Sequence, residues 1–373
     1  MQSLPRGRIG PYRVQSQLGR GGGGVVYRAV HEETGAPVAL KTVPAPSAGM
    51  VQGIRREIHA LSRLQHPGVV RILAKGEHEG TPWYAMELIQ GTTLLEHCRA
   101  RPTPEGLRGT LSVIRRLCAP LAYLHGEGVV HGDLKPRNVL VRDDGMPVIV
   151  DFGLARRAGG ESRRESLDLA GDSGTAAFMS PEQLRGELCD ARADLFSMGC
   201  ILYVLLTGRP PFATIGEIVD SDRPPERPSS LSPLPPELDA LVLRLLKRQP
   251  RERIGHADDV AQALAVMGAE DGLASMGPRP RAFVYRPPMA GREGMAGAIV
   301  RFLSAGAGVS GGVLLVGGES GVGKTRRAGG DPEGHGWGRS VAASECRPPA
   351  KAELLGGRRG AARPTAPRAQ GRR

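Results

Sequence analysis

The sequence has few cysteines and no long apolar run. Its five cysteines (98, 118, 189, 200 and 346) show no C-x-x-C spacing and no even-numbered framework, which favours reduced thiols in the cytoplasm. The first ten residues lack the apolar segment of a signal peptide. The longest apolar stretch, 198–206, is too short to cross a bilayer. These absences predict a soluble, cytoplasmic protein with no membrane span.

Aromatic residues are also scarce, at 4% of the chain, and this bears on its basic charge. The net charge is +12, and residues 326–373 contribute +7 of it, from eleven Lys or Arg against four Asp or Glu. Trp337 is the only aromatic residue in that tail that could stack on a base. We therefore predict a solvated, disordered basic tail and no specific nucleic-acid partner. The 40% of hydrophobic residues is enough for a large core elsewhere.

A polar run at 131–138 carries the strongest chemical signal. It reads H-x-D-L-K-x-x-N, and D-F-G begins at Asp151, thirteen residues after Asn138. Two acids and an amide at this spacing can hold a metal-bound triphosphate beside a hydroxyl group and accept the proton of that hydroxyl.

A glycine-rich segment precedes this run and reads G-x-G-x-x-G-x-V over 19–26. Alone it is weak support, because the chain contains 53 glycines. It lies between two strand-like runs, 12–18 and 25–30, so it predicts a hairpin and not the strand-to-helix turn of a dinucleotide site. The absence of side chains lets backbone amides approach phosphates closely. Fifteen residues after Val26 comes Lys41, at the end of Val-Ala-Leu-Lys.

In this order the motifs resemble those of bacterial serine/threonine protein kinases, from residue 12 to 267. The resemblance implies an α+β, two-lobed fold after an N-terminal extension, 1–11. A small antiparallel β lobe with one helix spans about 12–88, and a larger helical lobe spans about 89–267. It also implies transfer of the γ-phosphoryl group of ATP, with Mg²⁺, to Ser or Thr hydroxyls of proteins in signalling. A pseudokinase, or a nucleotide-binding scaffold without efficient transfer, remains the alternative.

The resemblance also implies roles for individual side chains. Asp133 accepts the proton of the substrate hydroxyl, and Lys135 neutralises the transferring phosphoryl group. Asn138 and Asp151 bind magnesium through oxygen. Lys41 grips the α- and β-phosphates and pairs with a glutamate on the next helix. The implied ATP-binding set is Leu18, Gly19, Arg20, Gly21, Gly22, Gly23, Gly24, Val25, Val26, Ala39, Lys41, Glu57, Met86, Glu87, Leu88 and Leu140.

Within that set, Met86 corresponds to the residue behind the adenine, and the backbone of Glu87 and Leu88 to the segment that hydrogen-bonds the base edge. Val26, Ala39 and Leu140 correspond to the apolar residues above and below the ring.

Other residues have implied structural roles. Asp194 opens a central apolar helix and holds the backbone of the catalytic loop. Glu182 pairs with Arg253. His131 belongs to a packed column with Leu61, Ile72 and Phe152, so it is not a proton shuttle.

The end of the kinase-like region shows two kinds of pattern. Residues 235–267 alternate apolar and charged side chains at helical spacing, which predicts helices. The stretch between Phe212 and Leu234 is rich in proline and short of periodicity. The helix that docks substrates or partners in the family is therefore expected to be abbreviated there.

The chain departs from the family pattern at Gly132, where most members carry an arginine. That arginine normally clamps a phosphorylated activation loop through a bidentate contact. We therefore hypothesise that activity does not depend strongly on phosphorylation of the loop. Ser162, Ser166 and Ser173 remain candidate phosphorylation sites, and a flexible polar loop is an equally good interpretation of them.

Beyond the kinase-like region, residues 268–290 are rich in Gly, Pro and Arg and predict a linker. A strand-like run then leads into G-x-x-x-x-G-K-T, with Lys324 as its lysine. This resembles the start of the AAA-like ATPase module of some large bacterial signalling kinases. The residues after Thr325 are too few and too polar for the rest of that module, so 291–325 predicts a truncated start and 326–373 the disordered tail. The sequence predicts no oligomeric state.

Overall fold

The computed structural model describes residues 7–21, 23–44, 48–98, 103–152, 176–187, 189–220, 223–270, 277–283 and 285. The chain divides into one compact unit that ends at Pro288 and a second that begins at Met289. Every described residue belongs to the first unit. The predictions for 291–325, with Lys324, and for the tail 326–373 lie outside the described residues. So do Gly22 and the three candidate loop serines.

A six-stranded antiparallel sheet forms the smaller lobe, in the order β1-β2-β3-β4-β6-β5. Its strands are β1 (Arg8–Ile9), β2 (Tyr12–Gly21), β3 (Gly24–His31), β4 (Pro37–Thr42), β5 (Ile72–His78) and β6 (Thr81–Glu87). Helix α1 (Ala48–Leu61) follows β4 and buries Ile54 and Ile58 in the main core. This arrangement is the small β lobe with one helix that the sequence predicts.

The glycine-rich segment forms a hairpin, as its flanking pattern predicts. Strands β2 and β3 are longer than the predicted runs, and their register pairs Gly21 with Gly24. The φ angle of Gly24 is +117°, and a Cβ atom there would collide with the carbonyl oxygen of Thr42. Only glycine adopts this φ angle readily and has no Cβ atom to collide, so the chain can turn back close to β4 at this point.

Seven helices build the described part of the larger lobe. They are α2 (Leu94–Cys98), α3 (Pro104–Gly126), α4 (Pro181–Leu184), α5 (Ala191–Thr207), α6 (Ile215–Val219), α7 (Pro236–Leu245) and α8 (Ala257–Val266). Helix α5 is apolar on all sides and is central: Leu195, Phe196 and Met198 are fully buried. Asp190 caps its first turn by accepting from the N–H of Arg192.

A three-stranded sheet positions the polar run between the lobes. Its strands are β7 (Thr92–Thr93), β8 (Val139–Val141) and β9 (Pro147–Ile149), in that order. A 3₁₀ turn, Pro136–Asn138, leads into β8. The N–H of Val150 donates to the carbonyl of Asn138 at 2.9 Å. The segment before β8 and the segment after β9 are therefore held side by side.

The helical spacing predicted from Pro235 onward is confirmed by α7 and α8. In the described part of the Pro-rich stretch before them, the helical elements are α6, of five residues, and a 3₁₀ turn, Pro228–Ser230. That agrees with the abbreviated helix expected for this stretch. Among the described helices, none has the length and apolarity that a membrane crossing requires.

Residues 277–283 and 285, here called the C-terminal strap, lie within the predicted linker but pack on the larger lobe. The ring of Phe283 contacts His256 and His125, with centroids 4.8 and 6.1 Å apart. The guanidinium of Arg192 lies 4.2 Å from the ring centre of Tyr285. Ring–ring and cation–π contacts of this kind stabilise the attachment of a segment to the lobe. The Gly, Pro and Arg content from which the linker was predicted gives no sign of these contacts. The described part of the linker is therefore docked.

Candidate active site

One buried carboxylate binds the backbone of the catalytic loop, 131–138. Asp194, on α5, accepts from the N–H groups of His131 and Gly132, each at 2.8 Å. Its Oδ2 also contacts His125 Nε2 at 2.9 Å. Burial would raise the pKa of Asp194, but the hydrogen bonds and charge of His125 and the N–H of Gly132 outweigh it and lower that pKa. The predicted role of Asp194 in holding this backbone is confirmed.

His131 has a packing role in the loop. Its ring lies 5.0 Å from that of Phe152 and is almost fully buried. Burial lowers the pKa of His131, so the neutral imidazole is favoured. Its Nε2 is 3.2 Å from the carbonyl of Val150, and its Nδ1 accepts from the N–H of Asp133 at 3.2 Å. Both ring nitrogens thus have a backbone partner, one in the loop and one after β9, which agrees with the predicted packing role.

Two further predicted catalytic side chains contact that of Asp133. Lys135 Nζ donates to Asp133 Oδ2 at 2.7 Å, and Asn138 Nδ2 lies 3.2 Å from the same oxygen. Asn138 Nδ2 also donates to the carbonyl of Asp133 at 2.8 Å. The amide is therefore oriented by its nitrogen, which leaves the oxygen of Asn138 as an acceptor.

Asp151 follows β9 in a strained conformation. Its φ angle is +58°, a left-handed value that costs a non-glycine residue about 1–2 kcal/mol. Lys41 Nζ donates to Asp151 Oδ1, and Asn138 Nδ2 lies 3.5 Å from the carbonyl of Asp151. Lys41, Asp133, Asn138 and Asp151 therefore lie together where the two lobes meet, although Lys41 and Asp151 are 110 positions apart.

The glycine hairpin covers this group of side chains from the smaller lobe. A Cβ atom at Gly23 would lie 3.2 Å from Lys41 Nζ, so the tip of the hairpin stands directly above the lysine. Val26 on β3 pairs with Lys41 on β4 in the sheet register. In the described contacts the partner of Lys41 is Asp151, so its pairing with Glu57 stays a prediction.

The predicted adenine-binding residues lie on adjoining strands. Ala39 and Met86 are directly opposed on β4 and β6, and both are nearly buried. Leu140 is half-buried on β8. The N–H of Glu87 donates to the carbonyl of Arg71 at 3.0 Å, so Glu87 can contact a base edge only through its carbonyl. Their contacts with a nucleotide, and that of Leu88, stay predictions.

A buried ion pair fixes the segment beyond the loop. Arg253 binds both carboxylate oxygens of Glu182, at 2.6 and 2.7 Å, and both side chains are almost inaccessible. This confirms the predicted pair. The bidentate geometry ties α4 rigidly to the base of the larger lobe.

Sequence reasoning missed one contact of the catalytic loop. Gln183 Nε2, on α4, donates to the carbonyl of Gly132 at 2.8 Å. The available signal was the S-x-x-Q pattern at 180–183, which is typical of a capping box and marks the start of a helix. That pattern places Gln183 in the first turn, but it does not predict the contact with Gly132.

Comparison with known proteins decides the family. The protein kinase domain family matches residues 12–265, more than half of the chain. The chain belongs to the protein kinase family. Members of this family use ATP with a divalent metal and act on protein substrates.

The curated relatives are bacterial serine/threonine kinases. A probable serine/threonine-protein kinase of Streptomyces coelicolor is 38% identical over 270 residues, which cover 69% of this chain and 40% of that protein. Serine/threonine-protein kinase PknL of Mycobacterium bovis is 36% identical over 269 residues, which cover 69% of this chain and 64% of PknL. The alignments thus span between two fifths and two thirds of these relatives.

Solved structures confirm the two-lobed kinase fold. The crystal structure of the Mycobacterium tuberculosis PknI kinase domain has a TM-score of 0.56 and 26% identity, and the match covers 71% of this chain and 99% of that one. A structure described as the PpkA-294 apo form has a TM-score of 0.58 at 23% identity and covers 71% of this chain. At this identity the second match supports the fold alone.

Proposed function

We propose that this kinase transfers the γ-phosphoryl group of ATP to Ser or Thr hydroxyls of proteins in a signalling role. The observation that supports the proposal most is the meeting of Lys41, Asp133, Asn138 and Asp151 at the junction of the two lobes. The spacing of these residues matches the family, and the relatives it resembles are named serine/threonine kinases. Lys135, two positions after Asp133, is the feature that the family resemblance associates with Ser/Thr rather than Tyr substrates.

In the proposed reaction Asp133 orients the substrate hydroxyl and accepts its proton. As the oxygen attacks the γ-phosphorus, the bond to the β-phosphate oxygen breaks and ADP leaves. Lys135, already 2.7 Å from Asp133, lies where it would face charge on the transferring group. Lys41 and the amides of the glycine hairpin would hold the remaining phosphates. Positioning and charge neutralisation supply most of the rate enhancement.

The side chains present fit a divalent metal of the Mg²⁺ type. Asp151 offers a carboxylate that is about one third exposed, and Asn138 offers an amide oxygen that its own hydrogen bonds leave available. Hard oxygen donors such as these are the ligands that Mg²⁺ prefers. When bound there, Mg²⁺ would neutralise phosphate charge; Asn138 and Asp151 are the residues proposed to hold it.

The cellular setting is part of the same proposal. Cys98, Cys118, Cys189 and Cys200 are all free thiols, two of them buried in the core. Burial raises the pKa of Cys118 and Cys200, so both are inert, protonated thiols. They support a reducing compartment, the cytoplasm.

Phosphoryl transfer from labelled ATP to a generic Ser/Thr-containing protein tests the function. Asp133→Asn should lower the rate by about 10²–10⁴, because it removes the proton acceptor while keeping the shape of the side chain. Asp143→Asn makes the same chemical change on an exposed aspartate and should leave the rate unchanged. Equal transfer by wild type and Asp133→Asn would instead support the scaffold alternative.

A further inference from the structure

The peptide group that precedes Asp133 is held at both of its polar ends. Its carbonyl, that of Gly132, accepts from Gln183 Nε2 at 2.8 Å. Its N–H, that of Asp133, donates to His131 Nδ1 at 3.2 Å. The N–H of Gly132 itself is held by Asp194. Rotation of this peptide plane would swing the Asp133 carboxylate, so these contacts orient the proposed proton acceptor.

Gln183 is well placed to act as a fixed donor. Its Oε1 accepts from the N–H of Ser180 at 2.9 Å and from the Ser180 hydroxyl at 3.1 Å. The side-chain amide is therefore held by its oxygen, and its nitrogen points at Gly132. The neighbouring Glu182 is locked to Arg253 by two short hydrogen bonds. The donor thus belongs to a helix start that cannot easily shift.

Gly132 explains why this donor matters in this chain. Its φ angle is +73°, and it carries no side chain that could receive a phosphate from the activation loop. The contacts with Gln183 and Asp194 are made entirely by uncharged backbone groups of residue 132. They link the catalytic loop to α4 and α5.

We propose that Gln183 is a positioning residue for phosphoryl transfer, and that its side-chain N–H orients the 132–133 peptide and, with it, Asp133. The inference rests on the proposed function. A role limited to capping α4 would need only the oxygen of Gln183, which already serves Ser180. The contact of the nitrogen with Gly132, 51 positions away, is the additional feature that the positioning role explains.

The test uses the full chain and the variant Gln183→Glu. This variant keeps the oxygen that accepts from Ser180 but replaces the donor to Gly132 by a carboxylate oxygen, which repels the carbonyl. Gln262→Glu, on the exposed face of α8, makes the same chemical change as a control. We expect Gln183→Glu to lower kcat about tenfold, the effect of one lost hydrogen bond, with the KM for ATP unchanged and the melting temperature lowered by only about 2–4 °C.

Hydrogen exchange of the backbone amides gives a second readout that does not require activity. Amides of 131–134 should exchange faster in Gln183→Glu than in wild type or Gln262→Glu. Unchanged exchange would overturn the positioning role even if the protein transfers no phosphate. Wild-type kcat in Gln183→Glu would overturn it too, as would a kcat loss matched by a collapse in melting temperature. Absence of transfer by the wild type would instead contradict the proposed function.

Discussion

Gly132 and Asp151 both adopt left-handed φ angles, +73° and +58°, although only one of them is a glycine. At Gly132 this conformation is free of side-chain strain. At Asp151 it costs about 1–2 kcal/mol, and contacts with Lys41 and Asn138 hold the residue there. Strain of this kind persists where the surroundings over-determine a conformation, as they do at this site.

Gly132→Ala tests that account at a single residue. The substitution should lower the free energy of unfolding by about 1 kcal/mol, because alanine is strained at this φ angle. Gly109→Ala should raise it by about 0.5–1 kcal/mol, since Gly109 is exposed within α3 and an added Cβ atom would meet no other atom within 4 Å. Denaturant unfolding measures both. Equal effects of the two variants would contradict the left-handed assignment of residue 132.

A second prediction at this scale concerns pH. Burial lowers the pKa of His66 from 6.5 to about 4, and its Nδ1 accepts from the N–H of Gly68 at 2.9 Å. Between pH 6.5 and about 4, His66 is protonated in the unfolded chain but stays neutral in the folded protein. The contribution of His66 to the free energy of unfolding is therefore fully present above pH 6.5 and is lost as the pH falls towards 4.

His66→Asn keeps an acceptor near Gly68 but removes the titration. Between pH 6.5 and 4 the stability of the wild type should fall more steeply than that of His66→Asn, by up to about 1.4 kcal/mol per pH unit. Other buried histidines, such as His131, contribute equally to both proteins and cancel in the difference. Parallel curves would show that His66 is not buried in neutral form.

At the scale of elements, the Glu182–Arg253 pair anchors α4 to the larger lobe. Arg253→Ala would leave a buried carboxylate without its partner and should cost about 3–5 kcal/mol. Arg209→Ala removes an ion pair of similar length, 2.6 Å to Glu226, but both of those side chains are about half exposed. It should cost less than about 1 kcal/mol. Chemical unfolding of the two variants checks the contrast, and similar losses would mean that α4 is not anchored as described.

At the scale of the whole molecule, the C-terminal strap belongs to the kinase unit. It covers His125, which contacts the catalytic-loop anchor Asp194, and it ends at Tyr285 beside Arg192. The boundary between compact units falls after Pro288, beyond the strap. The strap contacts are therefore internal to the folded lobe, in the region that the sequence predicts as a linker.

Two shortened chains test this boundary. A chain that ends at Pro288 should keep the melting temperature of the kinase unit, because every described core contact lies within it. A chain that ends at Glu270 lacks the strap and should melt about 2–8 °C lower, the effect of losing roughly 1–2 kcal/mol of aromatic and cation–π contacts. Thermal unfolding followed by circular dichroism distinguishes them. Identical melting of both would show that the strap adds no stability.

The sequence by itself determined the family and the two lobes, and it predicted which side chains take part in catalysis. This was possible because H-x-D-L-K-x-x-N, D-F-G and the glycine hairpin are local patterns, in which a few neighbouring residues carry the chemistry together. The helices from Pro235 onward were equally predictable, because one apolar face recurs at helical spacing.

The family resemblance predicted some distant contacts, such as that of Glu182 with Arg253, but only the tertiary structure decided others. The contacts of Gln183 with Gly132, His125 with Asp194 and Lys41 with Asp151 join residues 51, 69 and 110 positions apart. No local pattern encodes such a pair, because it depends on how α4, α5 and β4 pack in three dimensions. The docking of the C-terminal strap has the same origin: its composition resembles a linker, and the aromatic and basic partners that hold it come from α3, α5 and the segment before α8.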